Sequence, residues 1–139
     1  MDVKTILLVL IPILTAILSS YLTYHFTTKS KKNEAILKYK EDKYSNLVIL
    51  LQGFVGITIS GVTKRKFFEE QYRSWLYCSD GVVKAINTMI ELVISERGKN
   101  PDPEKGRKAV GNIVLEMRRD LLGKTQLTYK DFRYTDVVD

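Results

Sequence analysis

The N-terminal part of the chain contains a long stretch without charged side chains. No Asp, Glu, Lys or Arg occurs from Thr5 to Thr28, between Lys4 and Lys29. As a helix, these 24 residues extend about 36 Å at about 1.5 Å per residue, against about 30 Å of bilayer hydrocarbon. The stretch is therefore long enough to span a membrane, and we predict a transmembrane anchor over residues 1–28.

The charges on either side of this stretch predict whether it is cleaved and which of its ends faces the cytoplasm. On the N-terminal side Asp2 and Lys4 cancel, whereas a cleaved signal peptide needs a basic N-terminal region. On the other side, residues 29–43 carry six lysines against three acidic residues, a balance of +3. By the positive-inside rule we expect a single-pass protein of the cell membrane, with its N-terminus outside and its C-terminal domain cytoplasmic. The alternative is a cleaved signal peptide with its apolar core at residues 6–18.

Two groups of residues in and beside the anchor are candidate binding sites. Small residues spaced by three and four positions predict a packing face for a second transmembrane helix. They are Ala16, Ser19, Ser20 and Thr23. The alternative is that such hydroxyls bond only to their own helix. Lysines directly after the anchor predict a membrane-proximal basic patch that faces anionic headgroups. They are Lys29, Lys31, Lys32 and Lys38.

The chain after the anchor is long enough for one domain with its own core. We assign it to residues 29–133 and expect a flexible tail at residues 134–139. Apolar residues at helical spacing predict helices near residues 30–52, 63–78 and 81–97, and a fourth from Pro103 to Gly123. The predicted fold is therefore all-α, with one transmembrane helix followed by a cytoplasmic four-helix bundle. A strand at residues 55–59 is conceivable, but it has no obvious partner.

Local patterns predict which side chains are buried and where the helices end. One group of apolar residues in the second helix is expected to form a single buried stripe. It comprises Phe67, Phe68, Tyr72, Trp75 and Leu76. We expect N-caps at Ser79 or Asp80 and at Asp102, and a capping box between Thr128 and Asp131. Gly123 is expected to stop the fourth helix.

Two stretches of the soluble part resemble a known group of proteins. They are WLYCSD, at residues 75–80, and RRDLLGKTQLTYKDF, at residues 118–132. Over roughly residues 33–133 the chain is similar to uncharacterised bacterial and archaeal proteins with an N-terminal membrane anchor and a small helical domain. The resemblance implies this fold and a membrane-associated architecture. It implies no activity.

The residues offer little for catalysis or metal binding. The chain has one histidine, His25, and one cysteine, Cys78. His25 belongs to the predicted membrane interface, where an amphipathic ring is usually passive, and Cys78 is expected to be a buried apolar residue. Histidines on bundle helices, which a Glu-x-x-His metal site needs, do not occur. We therefore expect no cofactor, no metal and no enzymatic activity.

Basic residues near helix ends predict a surface for a partner or an anionic ligand. They are Lys64, Arg65, Lys66, Arg118 and Arg119. Arg118 and Arg119 could also pair with Asp80 or Asp131, and an active site is conceivable only if these four side chains meet in a pocket. Nucleic acid is disfavoured as a partner, because the neighbouring aromatic residues are expected to be buried. The net charge of +6 is explained by a position beside an anionic membrane.

These features predict a non-enzymatic, membrane-anchored interaction or assembly module, for example a small accessory subunit of a membrane complex. Its expected partners are the lipid bilayer and another membrane protein or a second copy of the chain. The alternative function is binding of an anionic ligand, either phospholipid headgroups or nucleic acid, through the basic helix ends.

Overall fold

A computed structural model shows four α-helices. It describes residues 2–54, 60–100 and 102–133. The helices are α1 (Val3–Leu51), α2 (Gly61–Ser74), α3 (Asp80–Ser95) and α4 (Pro103–Leu122), with 3-10 turns at Gln52–Phe54 and Tyr129–Asp131. These described residues contain no strand, so the all-α prediction is confirmed for them. The conceivable strand at residues 55–59 and the expected tail at residues 134–139 lie outside the described residues.

The first helix is much longer than the others. It runs from Val3 to Leu51 with Pro12 inside it, and every side chain from Leu7 to Tyr39 is exposed. Within the described residues this is the one helix that is long and apolar enough to cross a membrane. So many exposed leucines and isoleucines are unfavourable in water, which fits a helix whose surroundings are lipid.

The chain separates into two compact units, residues 1–38 and residues 39–139. The division falls ten positions after the predicted boundary between residues 28 and 29. Residues 29–38 are helical and fully exposed, so they group with the anchor and not with the folded unit. The apolar stripe of α1 contributes to a core only from Tyr44 onward.

The core of the second unit is formed by side chains from all four helices. Its buried members on α1 are Tyr44, Leu47 and Leu51, which repeat at helical spacing and so share one face. α2 contributes Phe67, and the turn before α3 contributes Tyr77. The buried members on the last two helices are Val82, Ile86 and Met89 of α3 and Ala109, Val110, Ile113 and Met117 of α4. The last part of α1 is thus a structural element of the folded unit.

Several helix ends agree with the sequence predictions. Asp102 caps α4 by accepting the backbone N–H of Glu104 at 2.9 Å. Ser79 occupies the N-cap position of α3. Gly123 ends α4 with a φ of 80°, in the left-handed region that favours glycine. The capping box of Thr128 and Asp131 is present. These predictions are therefore confirmed.

The C-terminal 3-10 turn rests directly on α4 at a glycine. A Cβ added to Gly111 would lie 3.0 Å from the Cβ and 3.2 Å from the Cα of Tyr129. The Lys108 ammonium lies 5.7 Å from the centroid of the Tyr129 ring, and Phe132 packs against the core. Phe132 thus holds the turn on the core, whereas Leu127 is exposed.

We expect Gly111→Ala to destabilise the folded unit by about 1–3 kcal/mol, because the new methyl group would push the Tyr129 backbone away from α4. Thermal unfolding monitored by circular dichroism measures the effect. The matched control is Gly106→Ala on the same helix, where an added Cβ meets no atom within 4 Å. There the higher helix propensity of Ala should raise the melting temperature. Equal shifts of the same sign in both variants would contradict the close contact.

Candidate interaction surface

α2 ends in a tight turn that leads into α3. The Ser74 hydroxyl donates to the Gln71 carbonyl at 2.6 Å. The backbone N–H groups of residues 76–78 then donate to the carbonyls of Arg73 and Ser74 at 2.8–3.1 Å. These short-range bonds replace further helical bonds, so α2 ends four residues before its predicted end at Cys78.

This turn leaves three large side chains on the surface. Tyr72, Trp75 and Leu76 have exposed fractions of 76%, 61% and 89%. We call these three residues the aromatic corner. The prediction of one buried stripe is confirmed for Phe67, which is fully buried, and is wrong for the aromatic corner. Trp75 and Leu76 follow the end of α2, so helical spacing no longer sets their direction.

A buried carboxylate lies at the base of the aromatic corner. Glu70 is only 6% exposed and accepts a hydrogen bond from the Tyr77 hydroxyl at 3.1 Å. Nitrogen atoms of Lys43 and Arg73 each lie 3.6 Å from its oxygens. A buried charge needs such partners, because removing it from water without them costs on the order of several kcal/mol. Burial, with the charge of Glu70, raises the pKa of Tyr77 above its usual range, so its hydroxyl remains a donor.

A second carboxylate joins α1, α4 and the turn before α3. An Asp120 oxygen lies 2.8 Å from the Lys40 ammonium and accepts a hydrogen bond from the Tyr44 hydroxyl at 2.5 Å. The Tyr44 oxygen in turn accepts the backbone N–H of Ser79 at 3.4 Å. Burial and the hydrogen bond to Asp120 raise the pKa of Tyr44 above its usual range. Together these bonds fix the turn, and with it the aromatic corner, against α1.

Cys78 lies in the same turn and is partly buried against the core. Burial raises the pKa of its thiol, and hydrogen bonds with Tyr44 and Ser74 offset part of this effect. A raised pKa leaves less of the reactive thiolate at neutral pH. Cys78 was expected to be a buried apolar residue; it packs against the core but is only partly buried, beside the polar groups of Tyr44 and Ser74.

The basic residues predicted to form one surface divide into two groups. These are Lys64, Arg65 and Lys66 at the start of α2, and Arg118 and Arg119 near the end of α4. The Lys64 ammonium lies 5.6 Å from the centroid of the Phe54 ring. The other group directly precedes Asp120, which binds Lys40. The two groups thus lie on different helices and beside different parts of the chain, and their action as one surface stays a prediction.

The four side chains considered as a conceivable active site do not meet in ion pairs. Asp131 accepts hydrogen bonds from Thr128 in the capping box, which lower the pKa of its carboxyl. Arg119 pairs with Glu116. Within residues 60–100 and 102–133, no ion pair joins Asp80 or Asp131 to either arginine. No group of three or more His, Cys, Asp or Glu side chains in the described residues could hold a metal ion.

The reason given for disfavouring nucleic acid does not hold. It assumed that the aromatic side chains of α2 are buried, but Tyr72 and Trp75 are exposed. The exposed rings and the basic residues 64–66 nevertheless lie at opposite ends of α2, so base stacking and phosphate contacts would not coincide there.

The lysines that follow the anchor surround their helix. Lys29, Lys31, Lys32 and Lys38 are all exposed on α1. Because a helix turns by about 100° per residue, Lys29 and Lys31 point to opposite sides. The predicted basic patch thus occupies two opposite sides of α1, with Lys29 and Lys32 on one side and Lys31 and Lys38 on the other.

The small residues of the anchor lie along one face of α1. They are Ala16, Ser19, Ser20 and Thr23, all exposed. Part of this face is a shallow groove that continues to Lys31. The Thr15 hydroxyl donates to the carbonyls of Ile11 and Pro12 at 3.0 and 2.9 Å, so this threonine bonds to its own helix. Among the hydrogen bonds found in residues 2–54, none involves the hydroxyls of the packing face.

Comparisons with known proteins identify no relative of this chain. No protein-family model matches the sequence, and no curated protein or solved structure matches it. The resemblance to anchored bacterial and archaeal helical proteins therefore stays a prediction. Function has to be inferred from the geometry alone.

The sequence pattern that predicted the buried stripe contained a second, polar stripe. Phe67, Glu70, Gln71 and Ser74 also follow helical spacing, and these four are the residues that α2 buries. Phe68, which is partly buried against the core, and Tyr72, which is exposed, lie four positions apart on a neighbouring face. A prediction of burial from hydrophobicity favours the apolar residues of α2 over the polar ones. It therefore misses both the burial of Glu70 and the exposure of the aromatic corner.

We expect Tyr44→Phe to destabilise the protein by about 1–3 kcal/mol, because the Ser79 N–H loses its acceptor and Asp120 loses a donor. The matched control is Tyr72→Phe, whose exposed hydroxyl should change stability by less than about 0.5 kcal/mol. Urea unfolding in mild detergent, followed by far-ultraviolet circular dichroism, measures both. Equal effects of the two substitutions would contradict a structural role for the Tyr44 hydroxyl.

Proposed function

We propose that this chain is a non-enzymatic membrane protein that assembles, through its anchor helix, with another membrane protein or with a second copy of itself. A small accessory subunit of a membrane complex is the kind of protein that fits. One observation carries the proposal: the apolar part of α1 is exposed all round and has its small residues on one face. Such a face lets a second helix approach closely in lipid, where packing drives association.

The folded unit is best described as a four-helix bundle held beside the membrane by α1. Support comes from the core, to which all four helices contribute buried side chains. Short connections such as residues 75–79 favour antiparallel neighbours. The anchor and the first helix of this bundle belong to one helix, Val3–Leu51.

We further propose that the bundle lies in the cytoplasm. The support is the excess of exposed lysines on α1 after the anchor, against Asp2 and Lys4 on the short N-terminal side. Lysines close to a membrane span favour the cytoplasmic side.

Reporter fusions at the C-terminus test this orientation. A fluorescent protein that folds only in the cytoplasm should be bright, and alkaline phosphatase, which is active only outside it, should be inactive. In a variant with Lys29, Lys31 and Lys32 changed to Gln, part of the population should invert. Active phosphatase on the unmodified chain would refute the proposed orientation.

The packing face is tested by enlarging one small residue. We expect Ser20→Ile to weaken assembly roughly tenfold, about 1–2 kcal/mol, because the new side chain holds the helices apart. The matched control is Leu18→Ile, which introduces the same residue two positions away on the other side of the helix. Native mass spectrometry of the protein released from detergent or nanodiscs measures the assembled fraction.

The result for the unmodified protein decides the proposal. A species that is strictly monomeric and carries no partner, both from native membranes and after reconstitution, would refute it. Equal losses in Ser20→Ile and Leu18→Ile would instead show that assembly does not use the predicted face.

Binding of an anionic ligand at basic helix ends is the weaker candidate. The residues that would bind it lie in two separate groups, and Arg119 already pairs with Glu116. A salt titration of binding tests it, since phosphate contacts weaken steeply as salt is added.

A further inference from the structure

We propose that the aromatic corner, Tyr72, Trp75 and Leu76, docks into the headgroup layer of the membrane that holds the anchor. The occupant of this surface would then be lipid and not a protein. The inference rests on the membrane anchoring proposed above, but not on any partner of the anchor helix. It gives the folded unit a membrane contact of its own.

The side chains of the corner have the chemistry of the membrane interface. Trp and Tyr are enriched there because one end of each ring system is apolar and the other is polar. Leu76, the most exposed of the three at 89%, would reach the acyl boundary below them. Tyr72 near the end of α2, with Trp75 and Leu76 in the turn after it, resembles on a small scale the surface with which interfacial proteins enter the headgroup region.

The size of the surface argues against a soluble partner. Three side chains of this kind expose on the order of 400–500 Å², against about 800 Å² per partner in a stable protein complex. So small a surface becomes effective when a tether supplies a high local concentration. In a chain anchored in a bilayer, the tether always holds the folded unit at a high effective concentration relative to the headgroup layer.

The position of the corner along α1 also favours the membrane. The turn that carries the corner packs on Tyr39 and Tyr44, through a Tyr39–Tyr77 ring contact with 5.8 Å between centroids and through Ser79. Tyr39 is the first residue of the folded unit, and ten residues, 29–38, precede it after the predicted anchor. The turn that carries Trp75 and Leu76 therefore packs on the first residues of the folded unit along the chain.

Docking at this site would not depend on attraction between opposite charges. Glu70, beneath the corner, is neutralised by Lys43 and Arg73, and Asp120 is paired with Lys40. The driving force is removal of apolar and aromatic surface from water. Docking on zwitterionic lipid should therefore survive high salt, unlike phosphate binding through the basic residues of α2.

The single tryptophan of the chain allows a direct test, because Trp75 is the only Trp. The full-length protein is reconstituted into phosphatidylcholine vesicles with or without bromine on the acyl chains. We expect the emission of Trp75 to shift to shorter wavelength relative to detergent and to be quenched by the brominated lipid. Quenching should be the same at low and high salt, and after phosphatidylserine is added.

Two variants make the test specific. Leu76→Ser should weaken docking roughly tenfold, by the loss of one buried leucine side chain, and so lower the quenched fraction. The matched control is Val62→Ser, an exposed residue at the opposite end of α2, which should leave quenching unchanged. Circular dichroism of both variants confirms that each is folded, so a loss of quenching cannot come from unfolding.

Three results would overturn the proposal. One is Trp75 emission that brominated lipid does not quench. Another is quenching that disappears at high salt. The third is a blue shift that grows with protein density in the membrane but not with brominated lipid, which would identify a protein partner. Failure of anchoring itself is seen separately, since protein without an inserted helix does not float with the vesicles.

Discussion

The position of the folded unit on its first helix depends on the carboxylate of Asp120. This carboxylate forms an ion pair with the Lys40 ammonium and accepts a hydrogen bond from the Tyr44 hydroxyl, and both residues belong to α1. The Tyr44 oxygen also accepts a hydrogen bond from the backbone N–H of Ser79. Three parts of the chain that are distant in sequence thus share one set of polar bonds. Apolar packing of Leu47 and Leu51 tolerates small displacements along the helix axis, whereas these directional bonds allow one register.

The features predicted well from sequence are those set by neighbouring residues. The charge-free stretch, the Asp102 cap, the stop at Gly123 and the capping box depend on residues within a few positions of each other. Their outcome does not depend on the rest of the fold. The long apolar helix was predicted for a related reason, since such a helix is recognised from composition and length alone.

The features missed depend on contacts between distant residues. Nothing near Asp120 in sequence indicates that it meets Lys40, 80 positions away, and nothing near Glu70 indicates that Tyr77 and Lys43 will surround it. A burial rule based on hydrophobicity assigns Tyr72 and Trp75 to the core and Glu70 to the surface. Tertiary pairing reverses both assignments. Sequence gives no distance between helix ends, so it does not show that the basic residues 64–66 and 118–119 form two separate groups.

The exposure of the aromatic corner follows from the burial of Glu70. A carboxylate in this position requires a hydrogen-bond donor from the following turn, and the Tyr77 hydroxyl supplies it at 3.1 Å. The Tyr77 side chain points toward the core in this short turn. The side chains of Trp75 and Leu76, directly before it, therefore point toward solvent. A leucine at position 77 would fill the core but would leave Glu70 without this donor, at a cost of about 1–3 kcal/mol. The burial of Glu70 and the exposure of Trp75 and Leu76 are thus two consequences of one turn.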